Sequence, residues 1–475
     1  MNLKTLGVLP TTLLVLLDAL LTSAQRQLPL NTVVPGTSNN RQSFTIPAGE
    51  KLQLSVAICS RNSQLRFRLS GPNLPNPVEI PLTNGWGKFG PETLSGATLQ
   101  IEGSGSFEVG LSDGERPLHE LQETKDLPFF GDTTANQAIL FSPPFSAPPL
   151  LKPQFPNYTM HPVDIDQSSP PSSFPDYNLS LFPTTNDNNY PHTSCFLPGQ
   201  SQIGTGALTS EESQWLRDED GWRTQYLIRG LTPSTNYTAY VIESSKVFGP
   251  IYFVTKSAGF PCHLAANLPF CPRVAYSVPL GAPPGGADAY TGATLPAPLR
   301  EPLRSYITNF TISLGRLACG REIYSPLVEC IDCQREYRKW LCAVSLPRCS
   351  EPSPQNPDAI TEIPAEPTAT GLSASKDSNQ QVLSALIPVQ SSAPRRNSDF
   401  PQFGSDYQML LPCIETCTAV DRNCPPFLGF KCPSSNFNGF ASYGIGYIDG
   451  ADGDQNAGLT GEAQDRYGNV WCASG

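Results

Sequence analysis

"CIDCQREYRKWLCAVSLPRC", residues 330–349, sets four cysteines into twenty positions around a run with helical spacing. Cys333, Tyr337, Trp340, Leu341 and Val344 recur at the intervals of one helix face, while Arg335, Arg338 and Lys339 share the other. Pro347 stops the helix, because it lacks the N–H that another turn would use. The reading predicts a helix that turns Tyr337 and Trp340 to a core and shows a basic edge to solvent. What the thiols do is decided by the compartment: a metal site and redox chemistry fit a reducing one, structural bridges an oxidising one.

The first residues point to the secretory route. Lys4 gives a positive start, Leu13 to Leu21 an apolar run, and Thr22-Ser23-Ala24 small residues for cleavage, so residues 1–24 read as a signal peptide. Asp18 interrupts the run, which is shorter than the ~20 residues a span needs. Later apolar stretches, "QAILFSPPFSAPPLL" and "YQMLLPC", are broken by proline or too short to cross a bilayer, and the polar "GNVWCASG" is not expected to serve as a lipid-anchor tail. Sequons at Asn157, Asn178, Asn236 and Asn309 predict N-glycosylation. The chain has 475 residues, 15% of them charged, and a net charge of −11. With no basic runs it is a poor nucleic-acid binder, since phosphate contacts need clustered Lys and Arg.

In that compartment all 14 cysteines are expected to be half-cystines: Cys59, Cys195, Cys262, Cys271, Cys319, Cys330, Cys333, Cys342, Cys349, Cys413, Cys417, Cys424, Cys432 and Cys472. Zinc asks for two close pairs or for nearby histidines; here C-x2-C is followed by C-x6-C, and the histidines stand at 119, 161, 192 and 263. A thioredoxin-like site asks for a preceding βαβ strand, which is missing. Cys262 is expected to pair locally with Cys271, leaving Cys59 for Cys195. Five cysteines on each side of residues 350–400 force a bridge across that segment if those ten pair among themselves. No metal or cofactor is expected.

Along the chain, "EKLQLSVAIC", "LRFRL", "ATLQIE" and "FEVGL" alternate with a period of two between turn-rich segments, so residues 25–125 read as an antiparallel β-sandwich. Residues 126–200 are rich in Pro, Asn and Ser and read as loop. In 201–260, "GLTPSTNYTAYV" resembles the corner of a fibronectin type III domain, where a tyrosine hydroxyl, here that of Tyr237, pins the loop carrying Leu231 and Pro233. Residues 261–314 read as a connecting region, and 315–475 as a separate, mainly helical cysteine-rich domain. Its insertion, 350–400, has too few large apolar groups to offset the entropy of ordering and is expected to be disordered.

Two motifs offer chemistry. "GLSDG", residues 110–114, matches G-x-S-x-G, with Asp113 and His119 close by, but it lies in an all-β run where Ser112 is better read as a hairpin turn than as a hydrolase nucleophile. "DGADGDQNAG", residues 449–458, alternates Asp452, Asp454 and Asn456 like a calcium loop. Ala457 and Ala463 stand where an EF-hand needs its glycine and bidentate glutamate, so it reads as an acidic loop.

The opening stretch, together with "CIETCTAVDRNCPPFLGFKCP" and the terminal "RYGNVWC", closely resembles the cysteine-rich region of the fungal stretch-activated calcium channel component, the mating-pheromone-induced-death family. Its animal relatives are extracellular auxiliary subunits of the sodium-leak channel. The resemblance covers about residues 315–475. It implies a non-enzymatic, extracellular regulatory subunit, at the plasma membrane and in the endoplasmic reticulum, held to the membrane by a pore-forming four-repeat cation channel. Arg335, Arg338 and Lys339 are the surface expected to meet acidic outer loops of that partner. "W-L-C-x-x-x-x-P-x-C" is also similar to frizzled cysteine-rich domains, which implies a ligand- or lipid-binding module as the alternative; the insertion departs from the compact frizzled form.

Overall fold

The computed structural model describes residues 26–94, 96–122, 128–146, 160, 162–184, 190–206, 208–217, 221–319, 323–352, 360–361, 382–383, 386–395, 398–434, 437–444, 470 and 472–473. The leader, Asn157, the loop at Asp452 and most of the insertion lie outside the described residues. The chain divides into two compact units: residues 1–121, 187–199 and 245–247 form the first, and 122–186, 200–244 and 248–475 the second. The described residues are mostly β-sheet, with few helices.

In the first unit, strands β1 (Arg26–Gln27), β2 (Thr32–Ser38), β3 (Arg41–Thr45), β4 (Gly49–Ile58), β5 (Arg66–Gly71), β6 (Leu74–Glu79), β7 (Trp86–Leu94), β8 (Thr98–Glu102) and β9 (Gly105–Ser112) form two sheets. Their orders are β1-β3-β8-β5-β6 and β2-β9-β4-β7. The alternation of β4 sends Leu52, Leu54, Val56 and Ile58 into one core with Phe44, Phe67, Leu99 and Phe107, a sandwich filled from both sheets. Phe107 meets Phe44 and Phe67 edge-on. Its strand partner is Gly36, where a β-carbon would stand 2.4 Å from the Phe107 ring. The polar face of β4 is also covered: Gln53 Nε2 donates to the Gly114 carbonyl, and the His119 N–H donates to Ser55 Oγ. Cys59 is bridged to Cys195, and Thr193 Oγ1 donates to the Ile58 carbonyl at 2.6 Å.

A short strand β10 (Glu120–Gln122) precedes the second unit. There β11 (Phe129–Thr133), β12 (Gln137–Phe141), β13 (Tyr177–Pro183), β14 (Thr209–Leu216), β15 (Trp222–Arg229), β16 (Asn236–Glu243) and β17 (Lys246–Val254) build a second sandwich. One sheet runs β11-β12-β15-β14; in the other β16 lies between β13 and β17. The tyrosine corner is present: Tyr237 is buried, and its hydroxyl accepts the Thr232 N–H at 3.1 Å. Within residues 126–200, expected to be mostly loop, β11, β12 and β13 complete this sandwich. The strand β12 is buried on both faces. Ala138 and Leu140 enter the sandwich core, while Ile139 and Phe141 pack with Leu264, Ala266 and Ala275, so the polar half of the alternation is absent.

Strands β18 (His263–Ala265), β19 (Tyr276–Val278) and β20 (Ala289–Tyr290) form a small sheet, followed by α1 (Ala297–Leu314) and α2 (Cys330–Ser345). Then come β21 (Arg348–Ser350), the short pair β22 (Ile360–Thr361) and β23 (Val382–Leu383), β24 (Leu386–Val389), β25 (Tyr407–Leu410) and α3 (Ile414–Asn423). The cysteine-rich part is therefore mixed rather than mainly helical, and it has no boundary at 260 or 315. Residues 265–307 share a core with Leu341, Cys342 and Leu346, so the connecting region is part of the stapled body.

Candidate functional site

The candidate site is the stapled helical module around α2. Its N-terminus is a capping box in which Glu329 and Asp332 exchange bonds between side chain and backbone, the Glu329 N–H donating to Asp332 Oδ2 at 2.9 Å. The Leu346 N–H still reaches the Cys342 carbonyl, and Pro347 follows. Bridges then fix the helix on all sides: Cys319–Cys330 and Cys333–Cys424 near its start, Cys271–Cys342 at its end and Cys262–Cys349 just beyond. Cys413–Cys472 and Cys417–Cys432 complete the set, and no cysteine is free. The expected local pair of Cys262 with Cys271 is corrected. Cys271 reaches Cys342 in the last turns of α2 and Cys262 reaches Cys349 on β21, because Ala265, Leu268, Phe270 and Cys271 share a core with Leu341, Cys342 and Leu346. The ten later cysteines do not pair only among themselves, yet Cys333–Cys424 does cross the insertion.

Tyr337 and Trp340 face the core as half-buried residues. Tyr337 stacks on Phe310 of α1 with ring centres 3.6 Å apart, and burial, then Tyr306, raise its phenol above the ordinary pKa. Trp340 meets Phe430 edge-on and donates its indole N–H to Tyr443 Oη at 3.0 Å.

The basic edge is not the open surface that spacing suggested. Arg338 is 2% exposed and donates to the Pro162 carbonyl at 2.9 Å. Its expected place on a partner-facing surface is corrected: α2 is enclosed on more sides than a two-faced helix would be, and Gln334 and Glu336 are buried too. Arg335 lies 2.9 Å from Asp332 and 3.2 Å from Glu336, and Lys339 lies 3.1 Å from Glu336. Both cations thus share charge with carboxylates on their own helix. The signal was in the sequence, since Asp332 to Arg335 and Glu336 to Lys339 are spaced by three.

A second polar cluster escaped sequence reading altogether. Arg348 on β21 grips Asp132 on β11, its Nε 3.2 Å from Oδ2 and its Nη2 3.2 Å from Oδ1, and also donates to the Gly131 carbonyl. Asp132 further accepts the N–H groups of Thr133 and Ser277. Nearby, buried Lys256 donates to Ser350 Oγ, and Glu351 accepts from the backbone and hydroxyl of Ser257. Burial holds the Lys256 pKa below its ordinary value; Asp132 raises it, Arg348 lowers it and Glu351 raises it. No short-range pattern points to groups so far apart in sequence.

Ser112 accepts the Gly114 N–H in a turn, Asp113 accepts from Asn31, and neither is bonded to His119. His119 instead stands between Ser55 Oγ at 3.0 Å and Glu108 at 3.3 Å, but Ser55 is fully buried and serves as a clip between chain segments. Among the described residues, the two triads of metal-ligand type each contain a closed disulfide, Cys59–Cys195 with Glu108 and Cys413–Cys472 with Glu415, so their sulfurs are not thiolates. Of the sequons, Asn178 is exposed on β13, Asn236 is half-buried and accepts from Thr184 Oγ1, and Asn309 is exposed on α1. No described helix is long and apolar enough to cross a membrane.

The family model described as stretch-activated Ca2+-permeable channel component, Mid1, matches residues 92–463. The chain is 33% identical to the stretch-activated cation channel MID1 of Cryptococcus neoformans over 79% of this chain and 64% of that protein. It is 25% identical to yam8 of Schizosaccharomyces pombe, over 78% and 68%, and 29% identical to MID1 of Saccharomyces cerevisiae, over 44% and 35%. It thus spans just under two thirds of the length of the Cryptococcus relative. On the match across 92–463, the chain belongs to the Mid1 family of stretch-activated Ca2+-permeable channel components.

Proposed function

We propose that this protein is an extracellular regulatory subunit of a voltage-gated-type calcium channel, required for calcium entry under stress or mating signals. The observation that carries the reading is the family match, which runs through the second sandwich and through helices α1, α2 and α3 of the stapled module. Seven disulfides without a free thiol support an oxidising, extracytoplasmic location at the plasma membrane and endoplasmic reticulum. In this reading the conduction path belongs to a four-repeat partner, which also holds the chain at the membrane. Of the cations first assigned to docking, Arg335 and Lys339 stay in the proposal, each as part of a mixed-charge strip; Arg338 does not. The test is stimulated calcium uptake in cells deleted for the chain: the reading expects loss of uptake with recovery on re-expression, and unchanged uptake contradicts it.

A frizzled-like ligand- or lipid-binding module is the second reading. Its candidate binding place is a cleft of about 250 Å3 lined by Pro347, Phe400, Phe403, Tyr407 and Met409, which lies by β24 and β25 and not between the helices. Saturable binding of a lipid probe, lost in Phe403→Asp, is what that reading requires.

A further inference from the structure

We infer that Asn309 carries an N-linked glycan whose first sugars lie along the outer face of α1 and cover Tyr306 and Ile312. On α1 the residues Leu299, Leu303, Ile307 and Leu314 are buried. At about 100° per residue, Asn309 stands roughly 80–160° around the helix from these four residues, outside the stripe they form. Tyr306 and Ile312 flank Asn309 three residues to either side, the helical spacing of neighbouring side chains. They are 51% and 55% exposed, two large apolar groups left about half open to solvent. A sugar ring supplies what such a face lacks, because its C–H side packs on an aromatic ring while its hydroxyls stay in water.

The sequon is divided in a way that suits this. Asn309 points outward, with Nδ2 3.4 Å from Ser305 Oγ. Phe310 turns inward onto Tyr337. The Thr311 hydroxyl donates to the Ile307 carbonyl and accepts from Gln334 Nε2, each at 2.8 Å. Because that hydroxyl is engaged once α1 docks on α2, transfer must precede docking, as it does in a chain still entering the secretory compartment. In the transfer, Asn309 Nδ2 bonds to the anomeric carbon of an oligosaccharide carried on a lipid diphosphate. The bond from that carbon to phosphate oxygen breaks, the lipid diphosphate leaves, and Nδ2 releases one proton. Asn236 makes a contrast, since it is half-buried and its Oδ1 is held by Thr184. The inference needs the oxidising compartment that the seven disulfides imply, and it is independent of the channel partner.

The full chain secreted from a glycosylating host gives the test, by peptide mass mapping and by thermal unfolding of wild type and Asn309→Gln, each before and after enzymatic removal of all glycans. The expected result is an occupied Asn309, with glycosylated wild type melting about 1–3 °C above glycosylated Asn309→Gln and no difference between the two once both are deglycosylated. In a Tyr306→Ala background the glycan-dependent difference should shrink by at least about half. An unmodified Asn309, equal melting of the two glycosylated proteins, or an undiminished difference in the Tyr306→Ala background each overturns the inference.

Discussion

Arg348 and Asp132 lie 216 residues apart in sequence, yet they form a buried two-point ion pair that ties the strand after α2 to the first strand of the second sandwich. Cutting one side leaves a buried charge without its partner. Asp132→Ala is expected to destabilise the second unit by about 3–5 kcal/mol in chemical denaturation of the secreted chain, while the double change Asp132→Leu with Arg348→Met recovers most of that loss. Equal losses in the single and double variants would show that the site acts through packing alone.

Lys256 makes the stability of this cluster pH-dependent. Burial lowers its folded pKa below the ordinary 10.5, against the upward pull of Asp132 and Glu351 and with the downward push of Arg348. Between the folded and unfolded pKa values the unfolded chain binds more protons, so stability rises with pH through that window and levels off near 10.5. Denaturation midpoints measured from neutral pH up to about 10 should rise in wild type, and Lys256→Met should flatten this rise. Parallel slopes would contradict the assignment.

On α2, neighbouring cations should behave differently. Arg338→Ala removes a buried guanidinium and leaves the Pro162 carbonyl without that donor, at an expected loss of about 2–4 kcal/mol. Arg335→Ala and Lys339→Ala break partly exposed pairs and should each cost about 0.5 kcal/mol or less. Thermal unfolding of the three single variants separates these cases.

The bridges should rank by the loops they close. Cys333–Cys424 spans 91 residues and Cys417–Cys432 spans 15. Replacing the first pair with alanines should therefore cost about 1–2 kcal/mol more than replacing the second, and secreted yield should fall in the same order. The reverse order would mean that native-state strain outweighs chain entropy at these sites.

What the sequence made legible follows from how local each feature is. The alternation in β4 and the Leu231-Pro233-Tyr237 corner are determined within a dozen residues, and both are present as expected. The helix at 330–345 was legible too, as were the half-cystine roles and the Cys59–Cys195 pair. The exposure of Arg338 was misread because two-faced spacing describes a helix packed on one side, whereas α2 packs on several. The strand β12 was missed because burial on both faces removes its polar half. Cys262 and Cys271 do not pair with each other because the fold, not the spacing, brings them to β21 and α2. The Arg348 and Asp132 contact has no local signature at all.

The most direct measurement is affinity capture of the tagged full chain from membranes in mild detergent, followed by mass spectrometry. The account predicts recovery of a four-repeat cation channel protein, with reduced recovery when Arg335 and Lys339 are both replaced by glutamate in a chain that still folds and is secreted. Capture of a folded, surface-exposed chain that brings down no such channel would contradict it.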